Sequence, residues 1–354
     1  MTDTRALAAT IAAVDLPTSR RPPSSPLDDV EFSSLLTTVR HQRLEGPLAR
    51  AVATAWLPTT DEQAERVAEA HDRAMATALV LDRQPLALAP ALDAAGARWR
   101  VLKGSAAAHL DEDDPSRRSY GDIDLLVAAE DLAAVHRLLE GLGGRRHHRE
   151  PGEGYDRRFG KGAAHTLPGQ REVDVHRTLA LGPYGICLRP EDLFAASDTF
   201  VLAGRPLLAL DRPRRFLHAC YHAVLGQDPP RLVALRDVAR TLPDGPGART
   251  AHGLARVWQG EAVVAAALVD VVAVLGLDVD HPLVRWAHEL APRTRDRRWL
   301  AAHRGPSRSS RARSLLVLEA LPGAADRMAY ARLLIRSLRQ GRRVAPPSSP
   351  GTTP

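Results

Sequence analysis

The sequence predicts an α+β fold in which a small mixed sheet is flanked by N-terminal and C-terminal helical segments. Apolar residues recur at three-to-four spacing before residue 96 and after residue 210, which is typical of amphipathic helices. Between those positions, short apolar runs alternate with helical stretches, which predicts strands joined by helices. The chain of 354 residues is long enough for two domains, or for one domain with large additions.

The two ends of the chain differ in composition from the segments between them. Residues 1–26 include a Ser/Pro/Arg-rich stretch and residues 341–354 are rich in Pro, Ser and Thr, so both are predicted to be disordered. Residues 27–95 form the predicted N-terminal helical segment, with helices at Asp28–Arg43 and Asp61–Arg83. The aspartate that opens the second helix is predicted to cap it.

Residues 96–210 form the predicted α/β core. Its predicted strands are Arg98–Leu102, Asp122–Val127, Ala163–Leu167 and Glu172–His176, with strand-like pieces at Arg145–Arg149 and Tyr155–Phe159, a hairpin at Phe200–Leu202 and Pro206–Leu210, and helices at Ala106–Leu110 and Asp131–Leu142. This alternation of strands and helices predicts a mixed sheet.

Residues 211–340 form the predicted C-terminal helical domain. Its predicted helices are Arg214–Leu225, Arg231–Leu242, Leu254–Leu275, Pro282–Leu290 and Arg311–Leu338. Proline and glycine disfavour a helix interior, so the last helix is predicted to be interrupted near Pro322 and Gly323.

Two aspartates open the second predicted strand of the core. Successive side chains of a strand point to opposite faces, so Asp122 and Asp124 project together while Ile123 points into the core. The apolar run that follows marks a buried strand, and buried strands do not normally begin with two unpaired acids. Two adjacent carboxylates repel each other unless a cation lies between them, and Mg²⁺ prefers carboxylates together with phosphate oxygens. The pair therefore predicts a metal site.

Gly104 and Ser105 follow the first predicted strand and open a helix. A helix N-terminus offers free N–H groups, and glycine lets the backbone approach a phosphate closely. Lys103 precedes this turn and could neutralise phosphate charge. Arg118 lies in the loop before the acid pair and could clamp a phosphate or brace the acids. Together with the acid pair, these four residues predict a site for nucleotide phosphates and metal.

A third acid lies on a later strand. In Val173-Asp174-Val175-His176 the valines face one side, and Asp174 and His176 face the other. If this strand lies beside the acid pair, three carboxylates can hold two divalent ions for phosphoryl chemistry.

These motifs resemble the uncharacterised nucleotidyltransferase family of the polymerase-β-like superfamily. The resemblance rests on Leu102–Ser105, on Arg118 with the Asp122–Val127 segment, and on Val173–His176, and it covers roughly Trp99–Leu242. The superfamily carries a Gly-Ser turn, an Asp-x-Asp pair and a third carboxylate on a later strand. The turn here follows a lysine and lacks the fuller glycine pattern of better-known relatives.

The resemblance implies a metal-dependent transfer of a nucleoside monophosphate from a nucleoside triphosphate, such as ATP, to an acceptor hydroxyl or phosphate. Gly104 and Ser105 would bind the triphosphate. Asp122, Asp124 and Asp174 would hold two Mg²⁺ or Mn²⁺ ions, and Asp174 would also help to activate the acceptor. Family members also tend to carry a histidine-bearing helix, matched by His218 or His222, and a later Arg-Asp helix, matched by Arg236 and Asp237.

Four further residues are candidate substrate contacts: His176, Lys161, His165 and His222. His176 shares the predicted face of Asp174. Lys161 and His165 flank the small residues 162–164, which form either a flap over the site or a plain loop. The sequence contains 48 Lys+Arg residues, and Lys103 and Lys161 are its two lysines, so each could stand where a compact ammonium is needed.

Composition limits the partners and the location. The net charge is +6, but the arginines are spread along the chain and aromatics make up 4%, so nucleic acid is not the favoured partner. The expected partners are the nucleoside triphosphate and an acceptor that is a small molecule, a peptide or a protein. Cys187 and Cys220 have no metal-type spacing, which fits a cytoplasmic location. No apolar stretch is long enough to span a membrane, so no membrane partner is expected.

Two other function classes remain open from the sequence. An Asp-x-Asp pair also occurs in sugar-nucleotide-dependent transferases, although these do not require the Gly-Ser helix start or a third acid. A non-catalytic antitoxin-like or regulatory relative would be expected to lose one of the acids, and all three are present.

Overall fold

The computed structural model describes residues 3–169, 171–305 and 309–339. Within these residues the strands are β1 Trp99–Val101, β2 Ile123–Val127, β3 Arg145–Arg146, β4 Gly162–Leu167, β5 Arg171–His176, β6 Ser197–Leu202 and β7 Arg205–Leu210. The helices are α1 Thr4–Ala12, α2 Asp29–Gln42, α3 Glu45–Ala53, α4 Asp61–Ala94, α5 Ser105–Asp111, α6 Leu132–Gly141, α7 Tyr155–Arg158, α8 Gly182–Cys187, α9 Arg212–Leu225, α10 Leu232–Thr241, α11 Gly245–Val257, α12 Glu261–Leu275, α13 Pro282–Glu289, α14 Thr294–Ala301, α15 Ser310–Ala320 and α16 Ala324–Arg339.

The seven strands form one mixed sheet in the order β3-β4-β5-β2-β1-β7-β6. β2 pairs in parallel with β5 and antiparallel with β1, so β2 and β5 lie in the middle of the sheet. The hairpin β6–β7 extends the same sheet, because β7 pairs in parallel with β1 at Val101 and Ala209. The predicted α+β fold with a mixed sheet and flanking helices is confirmed.

The N-terminal segment differs from its prediction. Residues 1–26 were expected to be disordered, but residues 4–12 form α1, whose N-terminus is capped by the Asp3 carboxylate. Small apolar residues with two larger ones, Leu7 and Ile11, bury this helix in the core. The predicted disorder of residues 341–354 lies outside the described residues. The remaining segment boundaries stay predictions.

Three local expectations were wrong. The strand-like piece at Tyr155–Phe159 contains the short helix α7, because Tyr155 and Phe159 are four residues apart and share one helical face. The helix expected at Leu254–Leu275 is divided between α11 and α12, with Gln259 in a left-handed conformation at the break. The small-residue stretch 162–164 belongs to β4, which is paired on both sides and is therefore no flap.

Among the three hydrophobic clusters of the described residues, the two larger ones hold most of these elements together. One lies against the sheet and includes Ile123, Val173 and Val175. The larger one joins helices from both ends of the chain and includes Ile11, Trp258 and Trp299, among other buried residues. Among the described residues, no helix is long and apolar enough to cross a membrane.

Candidate functional site

Pairing between β2 and β5 brings the three predicted acids together. The two strands are parallel, with Asp124 opposite Asp174 and Ile123 opposite Val173. Because side chains alternate, the aspartates face one side of the sheet and the buried Ile123 and Val173 face the other. The sequence predicted three clustered acids only if the strand of Asp174 lay beside the acid pair. The pairing of β2 with β5 meets that condition, and Asp174 joins the other two acids.

Two cations hold the acid pair. The ammonium of Lys103 lies 3.1 Å from Oδ2 of Asp124 and 3.5 Å from Oδ2 of Asp122. The guanidinium of Arg43 donates to Oδ1 of Asp122 at 3.2 Å. Arg43 ends α2 in a left-handed conformation, with φ of 56°, which is uncommon for a residue with a side chain. The acid pair is therefore neutralised by protein cations.

Asp124 and Lys103 each shift the pKa of the other. Burial alone would raise the pKa of Asp124, but the Lys103 ammonium and His176 hold that pKa well below its usual value. Burial alone would lower the pKa of Lys103, but Asp124 and Asp122 raise it above its usual value. Both residues are charged at neutral pH. Nε2 of His176 lies 2.8 Å from Oδ1 of Asp124, within hydrogen-bonding distance.

The Gly104–Ser105 turn was expected to bind the triphosphate, but its serine hydroxyl has another partner. Gly104 has φ of 62°, which favours glycine, and a Cβ there would lie 3.2 Å from the Tyr120 ring. Ser105 is fully buried, and its hydroxyl donates to Asp82 of α4 rather than pointing into the cavity. The Tyr120 hydroxyl donates to the same Asp82 oxygen at 2.6 Å. Only the glycine of this turn lines the cavity described next.

A cavity of about 320 Å³ opens above the three acids. It lies between the sheet, α9, α10 and the C-terminal part of the chain, and six basic side chains line it: Arg43, Lys103, Arg118, Lys161, Arg231 and Arg313. The lining also contains Gly104, the three predicted acids and the histidines His176, His218, His222 and His303. An excess of cations over carboxylates suits a polyanionic ligand.

Arg118 lines this cavity, but its guanidinium is committed to another side chain. Its Nε and one terminal nitrogen donate to the two oxygens of Asp237 at 2.7 and 2.8 Å, and the other terminal nitrogen donates to the carbonyl of Ser119. This geometry is that of a brace between the loop before β2 and α10. Arg236, next to Asp237, points away and pairs with Glu112.

The other predicted contacts divide into two groups. Lys161, His218 and His222 lie in the cavity, and burial lowers the pKa of each, that of His218 to about 3. His165 does not reach it, because it pairs with Val173 on the opposite face of the sheet. There it stacks on His136, with ring centroids 5.0 Å apart. The prediction of His165 as a substrate contact is therefore not supported by its position.

One group of side chains has the arrangement of a metal site. Asp124, Asp174 and His176 each offer one ligand atom, and these atoms lie within 4.8 Å of one another. Sequence reasoning missed Arg43, which lies 79 residues before Asp122, and Asp82, which lies 23 residues before Ser105. Both come from the N-terminal helices, and no local pattern links them to the motifs they support.

Comparison with known proteins gave three results. A family model described as uncharacterised nucleotidyltransferase matches residues 28–253, more than half of the chain. Among solved structures, the chain is similar to an antigenic nucleotidyltransferase-like protein from Paracoccidioides brasiliensis, at 17% identity and a TM-score of 0.34, over 59% of this chain and 95% of that one. Comparison with curated proteins gave no match.

Proposed function

The chain belongs to the uncharacterised nucleotidyltransferase family, and on that premise we propose that it moves a nucleoside monophosphate from a nucleoside triphosphate to an acceptor hydroxyl or phosphate with the help of a divalent metal. The observation that carries this proposal is the register of Asp124 opposite Asp174. It supports a cluster of three carboxylates at the base of a cavity that six basic side chains also line.

The residues present fit a divalent cation. Carboxylate oxygens are the donors that Mg²⁺ and Mn²⁺ prefer, and Asp124 and Asp174 supply them beside the imidazole of His176. Carboxylates this close repel each other, so a cation that binds them relieves the repulsion. When bound, the metal would polarise phosphoryl oxygens and neutralise charge on the leaving pyrophosphate.

The cations of the cavity are placed to hold the triphosphate. Lys161 and Arg231 line the same cavity as the acids, and Gly104 leaves backbone close to it. Cationic side chains pair with phosphate oxygens through charge-assisted hydrogen bonds, which are about twice as strong as neutral ones. Ser105 and Arg118, bound to Asp82 and Asp237, act as positioning residues for the turn and for the loop before β2.

The transfer itself exchanges one bond to phosphorus for another. The acceptor oxygen bonds to the α-phosphorus while the bond from that phosphorus to the bridging oxygen breaks, and pyrophosphate leaves with the electron pair. The proton of the acceptor passes to a carboxylate, for which Asp174 is the more accessible choice, since Asp124 is buried. The neutral His218 and His222 of α9, of which His218 is buried, form one wall for the acceptor.

Calorimetric binding of each nucleoside triphosphate, with and without Mn²⁺, tests the donor. The wild type is expected to bind at least one triphosphate only when the metal is present. Asp124→Asn should weaken that binding by more than about 100-fold, because losses in the outer shell of a metal site already weaken metal binding roughly 10–100-fold. The matched control is Asp131→Asn, in the turn between β2 and α6, where the carboxylate accepts from the backbone N–H of Arg98.

Competing titrations separate this function from the two others. A sugar nucleotide that displaces every nucleoside triphosphate would favour a sugar-nucleotide-dependent transferase. Metal-dependent binding that is equally strong in wild type and Asp124→Asn would contradict the proposed site. Release of pyrophosphate from the triphosphate by the wild type, and not by Asp124→Asn, would distinguish an enzyme from a non-catalytic relative.

A further inference from the structure

The carboxylate of Asp124 faces two different environments. Its Oδ1 lies 2.8 Å from Nε2 of His176, which is in turn 3.8 Å from Oδ2 of Asp174. Its Oδ2 lies 3.1 Å from the Lys103 ammonium. A two-metal site for phosphoryl chemistry would need room for two divalent ions roughly 3.5–4 Å apart. Here one side of Asp124 faces potential metal ligands, and the other side faces an amino group.

Asp122 has no oxygen directed at the cluster of Asp174 and His176. Its Oδ1 accepts from Arg43 at 3.2 Å, and its Oδ2 lies 3.5 Å from the Lys103 ammonium. Both oxygens therefore already face protein cations. The ammonium is shared by the two acids of the pair, and this is the position where a metal would be shared by them.

We propose that Lys103 is a built-in cation that takes the place of one of the two divalent ions, so that the chain binds a single ion through Asp124, Asp174 and His176. This inference rests on the proposed function and specifies its cofactor. The family resemblance implies two ions, and the Lys103 ammonium, which lies beside the carboxylates of both Asp122 and Asp124, leaves room for one.

The type of side chain supports this role. An ammonium is a compact point charge with three donors, whereas a guanidinium is a planar fork that would not fit between two carboxylates in the same way. Arginine supplies all but two of the 48 Lys+Arg residues of the chain, yet this position holds a lysine. A fixed ammonium would also remain in place as the nucleotide comes and goes.

Counting bound Mn²⁺ by electron paramagnetic resonance tests the proposal with the metal alone. The wild type is expected to bind one Mn²⁺ per chain. Lys103→Met removes the charge but keeps the length of the side chain, so it should bind a second Mn²⁺ between Asp122 and Asp124. Lys161→Met removes the same charge from the same cavity without vacating that position, and it should bind one.

Two carboxamide variants locate the ion and do not depend on the folding of Lys103→Met. Asp122→Asn should retain the single Mn²⁺, because its oxygens face Arg43 and Lys103. Asp174→Asn should lose it. Two tightly bound Mn²⁺ in the wild type, or loss of the ion in Asp122→Asn, would overturn the inference and leave the nucleotidyl transfer intact. Failure of the wild type to bind any Mn²⁺ would overturn both.

Discussion

His136 of α6 and His165 of β4 lie away from the cavity that the other predicted histidines line. They stack on the face opposite the three carboxylates, between α6 and β4. Burial, assisted by the nearby Arg146, lowers the pKa of His136 to about 3 and that of His165 to about 4. Both rings are therefore neutral at pH 7, and they act as apolar packing between a helix and the edge of the sheet.

This pair makes stability depend on pH. A histidine in the unfolded chain has a pKa of about 6.5, so between about pH 6.5 and pH 4 the unfolded state binds more protons than the folded one. The contribution is complete above about pH 6.5 and is lost as the pH falls. His165→Phe should reduce the slope of the unfolding free energy near pH 5 by up to about 1.4 kcal/mol per pH unit. Urea titrations at several pH values measure this slope, and the exposed His41→Phe is the control. Equal slopes in wild type and His165→Phe would contradict the assignment.

Single residues were also the scale at which the sequence was most and least informative. Strand alternation alone predicted that Asp122 and Asp124 share a face, whereas Asp174 joins them because β5 pairs with β2. The partners of Ser105 and Arg118 could not, since a Gly-Ser turn reads the same whether the hydroxyl meets a phosphate or the buried Asp82. Long-range contacts of this kind have no local signature.

At the scale of elements, α4 begins with a capping box formed by Thr60 and Gln63, whereas the sequence predicted Asp61 as the cap. The hydroxyl of Thr60 accepts from the backbone N–H of Gln63 at 3.2 Å, and the side-chain oxygen of Gln63 accepts from the backbone N–H of Thr60 at 3.4 Å. Asp61 is the first residue of the helix. Its carboxylate favours the positive end of the helix dipole but is not the cap.

Thr60→Ala should therefore lower the free energy of unfolding by about 1 kcal/mol, the usual loss for an N-cap hydroxyl. Chemical denaturation followed by circular dichroism measures this change. Asp61→Ala loses only the interaction with the dipole and should be less destabilising. A larger loss for Asp61→Ala than for Thr60→Ala would mean that the cap is the aspartate after all.

Helix breaks show why some elements escaped prediction. The apolar pattern runs through Leu254–Leu275 without a proline, so it predicts one helix. The break depends on tertiary contact, because a Cβ on Gly260 would lie 2.0 Å from the Tyr221 hydroxyl of α9. In contrast, Pro322 and Gly323 correctly predicted the break between α15 and α16.

At the scale of the whole molecule, α1 packs the N-terminal part of the chain against the C-terminal helical segment. It packs in one core with helices α10 and α12, and Thr18 forms a β-bridge with Leu277. The buried guanidinium of Arg236 donates to the backbone carbonyls of Ala12 and Val14 while it pairs with Glu112. Composition alone did not predict this packing. A short Ala-rich run beside a Ser/Pro/Arg-rich stretch is typical of disorder, and the helices that bury α1 lie far away in the sequence.

Ile11→Ala should therefore destabilise the whole protein by about 2–5 kcal/mol, because Ile11 is fully buried and its truncation leaves a cavity. Val30→Ala is the matched control, since Val30 is 80% exposed. Urea unfolding compares the two. A disordered N-terminus would make both substitutions equally neutral, and that result would contradict the packing of α1.

The two lysines of the chain both line the cavity, and their environments have opposite effects on their pKa. Burial lowers the pKa of Lys161, whereas the two carboxylates beside Lys103 raise the pKa of that residue. An acylating reagent reacts with the free amine and not with the ammonium. Amine labelling in the cavity is thus expected to be faster at Lys161 than at Lys103. A fluorophore attached through the Lys161 side chain would report on occupancy of the site.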